Sequence, residues 1–205
     1  TTVVACSLAL LLAPYERSTV LLDFCGDSAP SLGCVDVDPC DPGDFEPAPQ
    51  GSASQCHTRT SAFEGDLGAP VTEYLTLLNG TRIADARQRA QLVTTLDRRA
   101  QVVVDAGTSP HDLPVQAGFS LLVTRPCFLS MRRLAQSAHR PHGIVLIAEP
   151  GRALSRCDVE NVAGAPVVAE ISWDPAVART IDAGLLVGRL PAALSEPLGA
   201  LHWLR

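Results

Sequence analysis

The sequence predicts an α/β domain with a mostly parallel sheet and helices on both faces, resembling a three-layer sandwich. Short continuous apolar runs recur along the chain, several of them end in an acid, and helical patterns separate them. Unbroken apolar runs are typical of parallel strands that are covered on both faces. Alternation of strands and helices indicates right-handed crossovers within one sheet. The 205 residues suit one such domain rather than two.

Strands and helices are predicted in alternation after a first helix that is apolar nearly all round. This helix covers 3–13 and ends at Pro14, because proline cannot continue it. A late helix begins after Asp174 as its N-cap, with Pro175 at the first helical position. The predicted strands are 19–23, 101–107, 119–124, 143–148 and 166–171, and the other predicted helices are 82–98, 126–138, 155–162 and 174–183.

Composition narrows the classes of function. The net charge of −6 disfavours direct nucleic-acid binding, which needs clustered cations to displace counterions. All 16 basic residues are arginine, so no phosphate-binding lysine lies within these residues. Hydrophobic residues make up 46% and charged residues 19%, as in globular domains. The polar segment 34–61, rich in Pro and Gly, is predicted to be a surface loop insertion.

The cysteines predict scattered reduced thiols rather than a scaffold. Their count is odd and no C-x-x-C pair occurs, which disfavours both a disulfide framework and a cysteine-based zinc site. Reduced thiols of this kind are typical of cytosolic proteins. The seven cysteines are Cys6, Cys25, Cys34, Cys40, Cys56, Cys127 and Cys157.

Acids end several of the predicted strands. Asp23, Asp105 and Glu149 each follow an apolar run, and in open α/β sheets ligands bind beyond the carboxyl ends of the strands. A single such acid is as readily explained as the cap of a turn. Three in one chain favour a site. Thr1 and Thr2, directly before the first helix, taken alone indicate no more than capping.

The order of these segments resembles the MinD/ParA group of P-loop ATPases. TTVVACSLALLLA at 1–13 is similar to the end of the deviant Walker A loop and its helix, and TVLLDFCGDSAPSLG at 19–33 to the Walker A′ strand. QVVVDAGTSP at 101–110 resembles Walker B with the start of switch II. GAPVVAEISWDPAVARTIDAGLLV at 164–187 resembles a late strand, turn and helix of the family. The divergent actinobacterial septum-site-determining and CpaE-like members are the most similar.

The resemblance implies roles for residues at the first strands. Thr2 matches the Mg²⁺-binding threonine, and Asp105 is the candidate for the acid in the outer shell of the Mg²⁺ ion. Thr1 stands where the family has the lysine of Gly-Lys-Thr, and the rest of that loop with its strand would precede Thr1. Of the catalytic Asp-x-Asp pair, Asp23 is retained and Cys25 replaces the second acid, for which Asp27 is a candidate substitute. The start of the switch corresponds to Gly107 and Thr108.

The resemblance also implies a place for the nucleotide base after the two late strands. The candidates are Glu149 with Pro150, and Trp173 with Asp174. Glu149 could accept the adenine amino group or simply cap a turn near Arg152. Trp173 could stack on a base or be a half-buried packing residue.

The implied function is an ATP- and Mg²⁺-dependent switch that forms a homodimer and serves a division, partitioning or secretion machine, with weak or absent hydrolysis. The alternative is a pseudo-ATPase that binds no nucleotide and acts in docking. A receiver domain is disfavoured because it needs a late lysine. A cytoplasmic location is expected. The segment 192–205, with leucines at helical spacing, is predicted to pack on the domain rather than to contact a membrane peripherally.

Overall fold

The computed structural model describes residues 1–14, 18–34, 38–40, 68–108 and 118–204. Within these ranges the strands are β1 (Thr19–Asp23), β2 (Ala69–Pro70), β3 (Leu75–Asn79), β4 (Gln101–Asp105), β5 (Leu121–Thr124), β6 (Gly143–Ala148) and β7 (Val167–Ser172). The helices are α1 (Thr2–Leu12), α2 (Ser28–Leu32), α3 (Ala86–Asp97), α4 (Phe128–Gln136), α5 (Arg156–Ala163), α6 (Pro175–Asp182) and α7 (Ala192–Gly199), followed by a 3-10 helix at His202–Leu204.

The strands form two sheets, with the orders β2-β3-β1-β4 and β5-β6-β7. All pairs between these strands are parallel except β2 with β3. The predicted parallel architecture is confirmed. The carboxyl ends of β1 and β4 are in register, since Asp23 is the partner of Asp105.

Helices cover both faces of the sheets, as predicted. Successive residues of a strand point to opposite faces, so in β1 Leu21 packs on the α1 side while Val20 and Leu22 pack on the α3 side. In β6, Val145 joins the same core as α1, and the alternating neighbours pack against α4 and α5. The apolar core under α1 therefore extends beneath both sheets.

A gap divides the two sheets. β4 and β5 do not pair with one another, and although they read QVVVD and LLVT, nearly all their residues are only half-buried. Val103 of β4 and Leu121 of β5 nevertheless pack against the same core cluster. Within the described ranges no strand lies between these two apolar edge strands, and proteins normally cover the backbone groups of such edges.

The C-terminal segment connects the two sheets at the opposite edge from the acids. Gln101 Nε2 donates a hydrogen bond to the carbonyl of Leu204 at 3.2 Å. The Phe119 ring meets the Trp203 ring edge to face at 4.9 Å. In α7 and just after it, Leu194, Leu198 and Leu201 are buried in the core, which agrees with packing on the domain. Among the described residues, no helix is long and apolar enough to cross a membrane.

Two elements close to the candidate site were not predicted. β3 pairs with β1 along its whole length, and the short helix α2 follows Asp27. Helix α3 begins later than predicted because Asp85 caps it, accepting hydrogen bonds from the backbone N–H groups of Arg87 and Gln88. Most of the predicted loop 34–61 lies outside the described residues. Within it, the Cys40 side chain is buried and its N–H donates to the Asn79 carbonyl at 2.8 Å.

Helices α2 and α6 touch through two glycines. Gly33 ends α2 at φ +75°, and a Cβ at this position would overlap the carbonyl group of Gly184. Gly184 follows α6 at φ +65°. Both positions favour glycine because other residues rarely adopt positive φ. The contact fixes the segment after β1 against the segment after β7.

Candidate functional site

Asp23 organises the turn that follows β1. Its side chain is 2% exposed, and its carboxylate accepts three backbone hydrogen bonds. Oδ1 accepts from Cys25 N at 2.7 Å and from Gly26 N at 2.9 Å, and Oδ2 accepts from Ser28 N at 2.8 Å. The residue identified as catalytic from the sequence thus holds the loop from β1 to α2 in shape.

Asp105 lies beside Asp23 at the end of β4. It is 1% exposed, and its Oδ1 accepts a hydrogen bond from Gly107 N at 3.0 Å. Its Oδ2 is buried and has no hydrogen-bond partner among the described residues. A buried carboxylate oxygen without a donor is costly unless something outside the described residues meets it. Asp105 is therefore the member of this site best suited to an external cation.

Cys25 completes the group. Its Sγ lies 3.7 Å from the Asp105 carbonyl oxygen. Gly107, at φ +66°, approaches so closely that a Cβ there would lie 2.5 Å from this sulfur. The ligand atoms of Asp23, Cys25 and Asp105 all lie within 4.8 Å of one another. The structure thus brings together two acids predicted as site residues and the thiol that the sequence analysis treated as a departure.

The thiols at this site are weak acids. Burial, and then the negative charges of Asp105 and Asp23, raise the pKa of Cys25 to about 11. Burial also raises the pKa of Cys6, on the neighbouring face of α1, to about 12, although a hydrogen bond to Ser28 opposes the shift. In the chain by itself, both thiols are protonated at neutral pH. A neutral Cys25 cannot take the place of a carboxylate in orienting water.

Three other predicted residues lie around this group. Thr2 is one turn before Cys6 and therefore on the same face of α1, which turns toward Asp23 and Asp105. Thr1 is the N-cap of α1 without a side-chain hydrogen bond to the helix. Asp27 is exposed and caps α2 through its backbone position, and it does not belong to the cluster of ligand atoms. Thr108 is exposed, and the switch beyond it lies outside the described residues.

Glu149 forms a second charged group, at the carboxyl edge of the other sheet. Its Oε1 accepts a hydrogen bond from Arg125 Nη1 at 2.8 Å, and its Oε2 accepts one from Arg152 Nε at 2.6 Å. These hydrogen bonds and charges lower the pKa of Glu149. The sequence analysis named Arg152 but missed Arg125, whose position directly after the strand that pairs with β6 was the available signal.

Trp173 and Asp174 follow the adjacent strand. The backbone N–H of Trp173 donates to the Ala148 carbonyl at 2.9 Å, which places Trp173 beside the end of β6, where Glu149 is the next residue in the sequence. Its side chain is 59% exposed, so the half-buried packing role is wrong. Asp174 accepts a hydrogen bond from Ala176 N at 2.7 Å and caps α6, as predicted. Pro150 is exposed in the turn after β6.

The effect of the two arginines on the pKa of Glu149 can be tested by substitution. Replacing Arg125 with Gln is expected to raise the pKa of Glu149 toward its ordinary range. The reason is that the hydrogen bond from Arg125, which contributes most to the lowered pKa, is lost. Since the folded pKa is lowered, the pairing stabilises the protein at neutral pH and is lost as the pH falls through that pKa. A carboxyl titration by NMR measures the shift. Arg156→Gln, which removes the pair with Glu160, should leave Glu149 unchanged; equal shifts in both variants would contradict the assignment.

A parallel sheet with acids gathered at its carboxyl edge is the architecture of nucleotide-binding α/β proteins. No family model and no curated protein matches the sequence. Solved structures do match. A ParA family ATPase from Chlorobium tepidum aligns with a TM-score of 0.72 and 16% identity, covering 98% of this chain and 92% of that one.

Two MinD structures are also similar. The MinC:MinD cell division complex of Aquifex aeolicus gives a TM-score of 0.71 at 14% identity, over 99% of this chain and 89% of that one. The septum site-determining protein MinD of Pyrococcus horikoshii, complexed with Mg-ADP, gives a TM-score of 0.69 at 16% identity, over 98% of this chain and 88% of that one. The chain has the MinD/ParA-type P-loop ATPase fold, which confirms the fold that the sequence resemblance implied.

Proposed function

We propose that the protein is a nucleotide-dependent switch of the MinD/ParA type that binds ATP with Mg²⁺ and hydrolyses it weakly or not at all. The observation that carries the proposal is the pair Asp23 and Asp105, which are buried side by side at the carboxyl edge of the sheet, with Asp105 Oδ2 unpartnered among the described residues. Among the solved structures with this fold, one is a ParA family ATPase and another, a MinD, is complexed with Mg-ADP.

The gap between β4 and β5 supports the proposal that a strand and a phosphate-binding loop lie outside the described residues. β4 and β5 pack against a shared core, and their facing edges have no paired strand in the part of the chain that the structure describes. A further parallel strand between them would satisfy both edges. Such a strand, preceding Thr1, would lead directly into α1 at the acidic edge. Backbone N–H groups at a helix N-terminus are suited to bind phosphate.

The side chains of this region fit a magnesium ion in part. Asp105 provides a carboxylate oxygen without a donor among the described residues, and Thr2, which has a hydroxyl group, lies one turn before Cys6 on the same face of α1. Both are the hard oxygen ligands that Mg²⁺ prefers. When bound, the ion would neutralise phosphate charge. Thr1 supplies no cation in the lysine position, and loss of one charge-assisted contact weakens binding by about 1.5–3 kcal/mol, or one to two decades in affinity.

Weak hydrolysis follows from the roles of the acids. The Asp23 carboxylate already accepts three backbone N–H groups, so it holds the loop. Cys25 is a neutral thiol at physiological pH, and Asp27 is outside the cluster. No group among these three is arranged to activate water. A switch would then act by population shift, through different affinities for two arrangements of the segment after Asp105.

The docking alternative is favoured by a different observation. Phe128 and Leu129, at the start of α4, and Trp173 are exposed to 72%, 62% and 59%. These large apolar side chains follow strands at the carboxyl edge, and exposed apolar groups of this kind commonly mark interaction surfaces. In the nucleotide proposal, this edge would bind the base and a partner protein or second copy. The choice of division, partitioning or secretion machine rests on the sequence resemblance alone.

Titration of the full-length protein with Mg-ATP tests the proposal. We expect a saturable heat and thermal stabilisation. We also expect Asp105→Asn to weaken binding about tenfold, because it removes the charged carboxylate whose Oδ2 has no partner among the described residues. Asp182→Asn, an exposed acid on α6, is the matched control and should bind as the wild type does. No heat and no stabilisation at millimolar nucleotide would favour the docking protein.

A further inference from the structure

Three potential metal ligands converge at the ends of β1 and β4. The carboxylates of Asp23 and Asp105 and the Sγ of Cys25 lie within 4.8 Å of one another. Both acids are buried, to 2% and 1% exposure, whereas Cys25 is exposed. The group is therefore anchored on its inner side and open to solvent on its thiol side.

A second, independent feature indicates that a cation belongs here. Asp105 Oδ2 is buried without a hydrogen-bond partner among the residues that the structure describes, although its other oxygen is satisfied by Gly107 N. Two buried carboxylates stand in register on adjacent strands. Buried charges in proteins are generally paired or coordinate metals. A divalent ion would both meet Oδ2 and neutralise the pair.

The sulfur determines which ion fits. Mg²⁺ and Ca²⁺ prefer oxygen ligands, whereas Zn²⁺ and the softer divalent ions accept thiolate together with carboxylate. Gly107 has no side chain and packs against Cys25 Sγ, which leaves the sulfur at the mouth of the group. The absence of C-x-x-C spacing does not bear on this set, because it combines one thiol with acids from two strands.

We propose that Asp23, Cys25 and Asp105 form a binding site for a thiophilic divalent ion of the Zn²⁺ class, with Cys25 bound as a thiolate. Its proton passes to the solvent on binding. Metal–ligand bonds of about 2.0–2.3 Å place tetrahedral ligand atoms about 3.3–3.8 Å apart, so the ligands need to close by about 1.5 Å at most. Three protein ligands leave a fourth position open. The proposal does not rest on nucleotide binding, but it uses the Asp105 oxygen that the proposed function assigns to Mg²⁺, so the two ions would compete for it.

The geometry requires the turn between β1 and α2 to keep its shape. Asp23 can bind a metal through Oδ2, which accepts one backbone hydrogen bond from Ser28 N and has a second lone pair, whereas Oδ1 already accepts two. Those hydrogen bonds orient the carboxylate as the supporting contacts of metal sites do. The turn that they form holds Cys25 over Gly107.

The test is binding of metal alone to the full-length protein, without nucleotide. Competition with a chromophoric chelator measures Zn²⁺ affinity, and Co²⁺ substitution reveals thiolate ligation by its charge-transfer absorption. Cys25→Ser is expected to weaken Zn²⁺ binding at least about tenfold and to abolish that absorption. Cys157→Ser removes another exposed thiol and should change neither.

Two further variants make the outcome decisive. Asp105→Asn should weaken Zn²⁺ binding by a similar factor while the thiol remains. Cys25→Asp should lose the preference for Zn²⁺ over Mg²⁺, because all its ligands are then oxygen. Circular dichroism and thermal unfolding establish that each variant is folded. Wild-type protein that does not bind Zn²⁺, or a Cys25→Ser variant that retains its affinity and absorption, overturns the proposal. Failure of Mg-ATP binding alone would overturn only the nucleotide switch.

Discussion

Gly33→Ala is expected to lower the free energy of unfolding by about 3 kcal/mol. Gly33 has a φ of +75°, where alanine costs about 1–2 kcal/mol relative to glycine. In addition, its Cβ would overlap the backbone carbonyl of Gly184. A backbone group cannot rotate aside as a side chain does, and forcing atoms into a packed contact costs about 1–3 kcal/mol. Urea unfolding measures the change through the transition midpoint.

Gly164→Ala separates the two causes. Gly164 ends α5 at φ +66°, and a Cβ added there would meet no described atom within 4 Å, so the conformational cost is matched and the overlap is missing. We expect a loss of only about 1 kcal/mol. If the two variants were equally destabilised, close contact between α2 and α6 would not be the reason for glycine at position 33.

Asp23→Ala is expected to destabilise the protein by about 3–5 kcal/mol, measured by the same unfolding experiment. Three backbone N–H groups donate to its carboxylate. Each hydrogen bond to a charged group contributes about 1.5–3 kcal/mol, with less than full additivity. The side chain is buried, so water replaces the lost acceptor poorly. The residue therefore has a structural role in addition to any role at the candidate site.

Asp85→Ala is the matched control for this prediction. Asp85 also accepts two backbone N–H groups, from Arg87 and Gln88 at the start of α3, but it is exposed. Loss of an exposed N-cap costs about 1 kcal/mol because water hydrates the freed groups. An Asp23→Ala loss no larger than that of Asp85→Ala would show that burial does not strengthen these hydrogen bonds.

The sequence predicted strands and helices most accurately where the local residue pattern agrees with the burial seen in the structure. The strand ending at Asp23 was predicted to the residue, and the strand predicted at 101–107 begins as predicted and ends two residues earlier, at Asp105. In both, an unbroken apolar run reaches the acid without interruption. Helix α6 was correct because Asp174 and Pro175 mark its start. In these segments, the residues that determine the strand or helix lie within one short stretch of the sequence.

Elements that depend on distant contacts were missed. β3 reads LTLLN, a short run that suits strand or helix equally, and only its pairing with β1 decides the matter. Helix α2 has five residues and is held by Asp23 and by the contact between Gly33 and Gly184. The sequence indicated that acids would gather at one edge. The sequence did not show that backbone N–H groups donate to Asp23 while Asp105 Oδ2 has no partner among the described residues. This difference depends on side-chain geometry, which residue spacing does not predict.

Helix α1 packs against α7, almost the full length of the described chain away. During synthesis the first helix leaves the ribosome long before its partner exists, with its apolar face uncovered. Contacts between segments so distant in sequence form late and slow folding. Closure of the core consequently waits for Leu194, Leu198 and Leu201, and until then the nascent chain exposes the surface on which chaperones act.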